Sequence, residues 1–126
     1  VSRVLAAARE QSRLLEPAVL PLLLETDGVY GYQMPEQIAA LGLTDSDIDA
    51  SAVYRSLRWL ERHEQVRSTW DTTGDGHPRR RYFITELGMK ALSLWADVLR
   101  RRQESLTRYM VRYREGVARY RKRRNI

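Results

Sequence analysis

The rhythm of apolar and polar positions changes several times along the chain. Leu14 to Glu25 is apolar almost all round, which predicts a buried helix. Pro17 suits a first helical turn, but Pro21 would remove an interior hydrogen bond, so this helix is expected to bend or start late. Ahead of it, residues 3–15 are Ala-rich and helix-prone. Gly28 and Gly31 punctuate a turn. Tyr32 to Leu41 has the apolar spacing of a short helix that Gly42 would stop. Pro35 moves its expected start to near Met34. Asp49 can cap a helix from about Ala50 to His63, because its carboxylate accepts backbone N–H groups that lack partners. Val66–Asp71 and Arg80–Ile84 are β-rich and flank Thr72–Pro78, the pattern of a hairpin. From Thr85 the chain is helical in pattern to about Glu115.

These elements predict a mainly α fold with a small β-hairpin (α+β). Residues 1–84 would form a winged helix-turn-helix domain, residues 85–116 a C-terminal dimerisation helix, and residues 117–126 a basic tail. The helix from Ala50 to His63 carries the strongest functional signal. At about 100° per residue, Ser51, Arg55, Arg58 and Arg62 fall within roughly 60° of one another. Val53, Leu57 and Leu60 occupy the opposite side, and Tyr54 and Trp59 flank the basic face. A recognition helix needs this division, with one face docked and the other free for phosphates and base edges. A solvated amphipathic helix shows the same pattern. What favours recognition is the short helix before it and the basic hairpin after it.

That hairpin has the features of a wing. Its tip is small and polar, and Gly74 and Gly76 allow close backbone approach to a phosphate. Its return strand opens with Arg79, Arg80 and Arg81. Alternation puts Arg81 and Phe83 on one face and Arg80, Tyr82 and Ile84 on the other. A basic two-stranded ribbon can straddle a minor groove beside a recognition helix.

Charge sharpens this picture. Residues 28–50 carry four acids and no base, residues 51–84 seven arginines against four acids, and residues 85–126 twelve bases against four acids. The net charge is +6, and 20 of the 22 basic residues are arginine, whose rigid fork suits phosphate and guanine. With no cysteine and a mean hydropathy of -0.54, neither a disulfide-bonded nor a membrane protein is expected, and a cytoplasmic, nucleoid-associated one is. No signal peptide is evident.

Three blocks in order carry a family resemblance. They are Gly31-Tyr32, then Ser51-Ala52-Val53-Tyr54-Arg55-Ser56-Leu57-Arg58-Trp59-Leu60-Glu61, then Arg80-Arg81-Tyr82-Phe83-Ile84-Thr85-Glu86-Leu87-Gly88. They resemble the PadR family of regulators, whose pattern reads GY, GTLYxxLxxLE and RxYYxLTExG at similar spacing. The match covers about residues 14 to 100. The resemblance implies a sequence-specific DNA-binding regulator, a dimeric winged-helix repressor released by a small effector or another signal. It also implies DNA contact by Tyr32, Ser51, Tyr54 and the wing. Ser51 and Ala52 replace the usual glycine and threonine, so base contacts there are expected to differ. Glu64 stands where the family has a glycine ending the recognition helix, at a cost of about 1 kcal/mol if the site is left-handed.

The last helix supplies the expected dimer contact. Leu92, Leu99, Leu106, Tyr113 and Tyr120 recur every seven residues, interleaved with Trp95, Arg102, Tyr109 and Gly116, a heptad with an imperfect second series. Thirty residues of helix run about 45 Å, farther than one small domain covers. Packing back on Leu5, Leu14 and Leu15 is the alternative. Gly116 and the basic run from Arg119 to Arg124 suggest fraying into a tail. A small aromatic effector is expected around Trp95, Leu92 and Leu99, where an indole in the dimer seam would splay the helices. The competing reading buries Trp95 in the dimer core or against the winged domain.

Enzymatic and metal chemistry find little support. Asp45, Asp47 and Asp49 imitate a calcium loop, but Ala50 and Ser56 occupy its glycine and glutamate positions. His63 and His77 lie in different elements without cysteines nearby. No phosphate loop or nucleophile elbow is visible, so no cofactor is expected. A winged helix serving protein–protein contact, or one binding structured RNA, are the remaining alternatives to duplex DNA with an inverted-repeat operator.

Overall fold

The computed structural model describes residues 15–44, 48–74 and 76–125. Helix α1 (Leu15–Glu25) leads into strand β1 (Val29–Tyr30), a single 3-10 turn (Gly31–Gln33), α2 (Met34–Leu41) and α3 (Ala50–Arg62). Strands β2 (Val66–Asp71) and β3 (Arg79–Ile84) follow, and α4 (Glu86–Arg124) ends the chain. The helix expected over 3–15 lies outside the described residues, Leu15 excepted. Among the described residues no helix is long and apolar enough to cross a membrane.

The core lies where α1–α3 meet the sheet and the start of α4. It gathers Val19, Leu20 and Leu23 from α1, Met34 and Ile38 from α2, and Val53, Leu57 and Leu60 from α3, closed by Val66, Tyr82 and Trp95. Helix α1 begins no later than Leu15 and includes Pro21, so of the two expectations, a bend or a late start, the late start is not met. Burial of Leu20, Leu22 and Leu23 around that proline compensates for its missing donor.

Local chemistry sets the helix boundaries. Gly42, at φ 72°, ends α2 in the left-handed conformation, its N–H donating to the Ala39 carbonyl at 3.1 Å. Asp49 caps α3 by accepting the Ala52 N–H at 2.7 Å. At the other end Glu64 adopts φ 60°. Its N–H donates to the Glu61 carbonyl at 3.0 Å, and that of Gln65 to the Leu60 carbonyl at 2.9 Å. That pair of bonds is a Schellman motif with a glutamate in the place that favours glycine.

The hairpin pairs from Val66↔Ile84 to Asp71↔Arg79, and β1 adds a third strand through Val29↔Tyr82, giving the order β1-β3-β2. A two-residue strand has no period to detect, so only the hairpin was expected. Beyond it, Thr85 turns the chain into α4: its hydroxyl accepts the Gly88 N–H at 3.1 Å and donates to the Glu64 carbonyl at 2.6 Å. A side chain at Gly88 would collide with the Gln65 carbonyl, so a glycine lets α4 start against the end of α3.

Helix α4 has 39 residues, about 58 Å. It continues through Gly116 to Arg124, where fraying into a basic tail was expected. One interior glycine costs about 1 kcal/mol, and the arginines around it are good helix formers. Basic side chains in the last turn also suit the negative end of the helix dipole.

Candidate nucleic-acid interface

Helix α3 divides as its spacing requires. Val53, Leu57 and Leu60 are wholly buried, while Ser51, Arg55, Arg58 and Arg62 are exposed and Ala52 and Tyr54 half-buried. The Tyr54 ring sits against Gly31, where a Cβ would lie 2.7 Å from ring carbon Cε1. That close approach brings the 3-10 turn, and with it Tyr32, beside α3. Tyr32 stacks on Tyr30 at 5.8 Å between centroids and accepts a hydrogen bond from Arg79 Nη1 at 3.1 Å.

The wing is tied to α3 by a chain of polar contacts. Ser68 Oγ donates to Glu61 Oε2 at 2.6 Å and accepts from Arg80 Nε at 3.0 Å. The Arg80 guanidinium in turn lies 5.1 Å from the centre of the Trp70 ring. Arg80 is therefore aimed rather than loose, so less side-chain entropy is lost when it meets an anion. Near the wing tip, Tyr30 donates its hydroxyl to Asp71. The Thr73 hydroxyl and then Tyr30, with the Thr73 N–H adding a third donor, hold the Asp71 carboxyl at about 2. Burial pushes the Tyr82 hydroxyl above its ordinary value.

Between α3 and the wing lies a cleft of about 340 Å³. Arg58, Arg79 and Arg80 line it with Tyr32, Tyr54, Trp70 and Tyr82, and among the described residues no carboxylate joins them. Arg58 also edges a second hollow, of about 530 Å³, with Arg55, Arg62 and the start of α1. Gly76 is exposed at the tip of the wing.

Not every expected contact joins this face. Arg81 lies on the other side of the sheet, half-buried, with Nη2 donating to the Asp27 carbonyl and its guanidinium near Phe83 and Tyr30. It bolts β3 to the turn before β1, a partnership that the turn glycines alone do not reveal. Trp70 went unnoticed in the sequence. Its one signal is a large apolar residue between Thr69 and Asp71, beside the hairpin loop.

Helix α4 places its expected residues in two groups. Trp95 is 3% exposed and belongs to the core of its own chain, with Leu92 and Leu99 packed against the same cluster. An indole so enclosed offers no face to a partner helix or ligand, which corrects the expectation of a cleft around it. Leu106, Tyr109 and Tyr113 are exposed. Beside them a hollow of about 530 Å³ is lined by Leu43, Val98, Leu99, Leu106 and Met110 among others. Met110, not Tyr109, lies on that hollow, so the apolar run is Leu99, Leu106, Met110, Tyr113, Val117 and Tyr120.

Comparison with known proteins decides the family. The model of the Transcriptional regulator PadR-like family matches residues 19–94. The chain belongs to the PadR-like family of transcriptional regulators. An uncharacterized protein from Lysinibacillus sphaericus is 32% identical over 88 residues, 67% of this chain and 80% of that one. A PadR family regulator from Eggerthella lenta has a similar structure, with a TM-score of 0.63 and 27% identity over 86% of this chain and 89% of the other. The crystal structure of Bacillus subtilis PadR in complex with operator DNA is similar at TM-score 0.58 and 24% identity, over 66% of this chain and 47% of that one. The PadR-like match spans α1 to the Trp95 region of α4, so it takes in both walls of the arginine-lined cleft.

Proposed function

We propose that this chain binds duplex DNA sequence-specifically through α3 and the wing, and represses transcription by occupying an inverted-repeat operator. The observation that carries this reading is the cleft itself: three guanidiniums on two elements, at least one of them held in place, with no carboxylate among the described residues of the lining. Phosphates suit Arg58, Arg79 and Arg80 in the cleft, while Arg55 and Ser51 on α3 suit base edges in a major groove. The operator complex of Bacillus subtilis PadR supports the same use of the same fold.

Two copies pair along the distal part of α4, with Leu106, Met110 and Tyr113 in the seam. Recognition helices then sit one DNA turn apart, about 34 Å, which calls for an inverted repeat. A small aromatic effector would enter the hollow beside Leu99 and Met110 rather than the neighbourhood of Trp95. It releases DNA only to the extent that it prefers a helix arrangement unsuited to two adjacent grooves. Footprinting on the DNA upstream of the chain's own gene tests the proposal. A protected inverted repeat supports it, and binding only to an acidic protein or structured RNA would overturn it.

A further inference from the structure

Trp70 is 60% exposed, yet it stands on the face of β2 that turns toward α3. Val66 and Ser68 precede it on that face, opposite Ile84 and Tyr82, and they become more exposed toward the wing tip. Its cross-strand partner is Arg80, whose guanidinium covers part of the ring while the rest opens into the cleft. A large ring left in water on an otherwise polar hairpin end contributes nothing evident to the fold, and exposed apolar surface beside aimed charge marks a contact site.

The cleft sets guanidiniums and rings together: Arg58 from α3, Trp70 and Arg80 from the wing, with Tyr54 also in the lining. One strand of a duplex offers a partner for each, an anionic phosphate followed by a deoxyribose whose C–H face is apolar. Bases are stacked and paired inside the duplex, so a ring on the wall of a cleft meets the backbone before it meets a base. We propose that this cleft seats one sugar–phosphate strand, with Trp70 packed on a deoxyribose and Arg58 and Arg80 on flanking phosphates. The inference rests on the DNA-binding reading above and deepens it. Trp70 becomes a sequence-independent contact, supplying affinity without base preference.

The test uses the full chain and short duplexes of random, all-A·T and all-G·C sequence, with binding read by fluorescence anisotropy across a salt series. Trp70→Ala should weaken binding about tenfold on all three duplexes, while Trp70→Phe stays within about threefold of the parent. Because no charge is removed, the slope of log affinity against log salt should stay unchanged in Trp70→Ala. Arg58→Ala should make it shallower by about 0.9. The 19F signal of 5-fluorotryptophan at position 70, assigned by its loss in Trp70→Phe, should move on adding any of the duplexes.

Wild-type affinity in Trp70→Ala alongside weakened binding in Arg58→Ala would overturn the inference and leave the DNA-binding reading standing. A loss confined to one base composition would mean the ring reads bases. A loss accompanied by a shallower salt slope would mean Trp70 acts only by holding Arg80. Either result contradicts the sugar contact. Failure of the parent chain to bind any duplex would remove both readings together.

Discussion

Helix α4 meets two different demands along its length. From Gly88 to Leu99 its inward face is used within the chain: Gly88 and Trp95 are buried, and Ala91, Leu92, Val98 and Leu99 pack against the core. From Arg100 onward the same helix carries an apolar run of similar spacing that, among the described residues, stays largely exposed, with Gly42 and Leu43 lining the hollow beside Leu106 and Met110. Leu106 is 58% exposed, Tyr113 56% and Tyr120 57%. The lesson is that amphipathic spacing identifies a face that wants cover but not the source of the cover. The distance from α1–α3 decides that, and the winged domain ends where the distal part begins.

Three variants break or sharpen this contrast, and an acid titration sets the head's own wing apart from both. The largest effect is expected in the proximal part. Trp95→Ala should cost about 3 to 5 kcal/mol in chemical denaturation, as deletion of a buried aromatic does. A cost under about 1 kcal/mol would mean that Trp95 is not part of the intrachain core. In the distal part, Met110→Asp should leave the fold of the winged domain intact, as judged by circular dichroism. It should weaken self-association roughly a hundredfold by sedimentation, because a carboxylate would have to be desolvated in the seam. A dimer as tight as the parent's would place the interface elsewhere.

A smaller gain is expected at the end of α3. Glu64→Gly should stabilise the chain by about 1 kcal/mol, since the residue sits at φ 60° in a Schellman motif and glycine avoids the Cβ penalty there. A destabilised variant would show that the Glu64 side chain contributes more than its backbone costs. The smallest effect concerns the wing tip. The Asp71 carboxyl is held at about 2, below its unfolded value near 4, so its contribution is fully present above about pH 4. That contribution fades as the pH falls from about 4 to 2. A carbon-detected NMR titration of Asp71 should give a midpoint near 2 in the parent, and Asp71→Asn should remove the acid-dependent loosening of Thr73.

Much of the head was legible because its signals are local. Asp49 announced the start of α3, Gly42 the end of α2, and the Val53, Leu57 and Leu60 stripe the buried side of α3. The glycine missing at position 64 was readable too, because a helix end needs a left-handed residue whatever the tertiary context. What escaped depends on neighbours distant in the chain. Val29 and Tyr30 become a strand only because β3 offers its edge, and only then does the turn before them receive the Arg81 guanidinium. Trp95 matched a dimer heptad as well as a core position, and only the packing of α4 on α1 and the sheet distinguishes them. Trp70 acquires meaning from Arg80 across the hairpin and Arg58 across the cleft.

Whether the arginine face of α3 and the wing engages duplex DNA decides what this surface is for. The most direct measurement is the salt dependence of binding to an upstream duplex, comparing the parent chain with Arg58→Ala, Arg80→Ala and the double variant. The parent should lose affinity linearly with log salt, and each substitution should make the slope shallower by about 0.9. Both substitutions should weaken all sequences alike, as the loss of a phosphate contact does. Unchanged affinity and slope in the double variant would contradict the assignment of this surface.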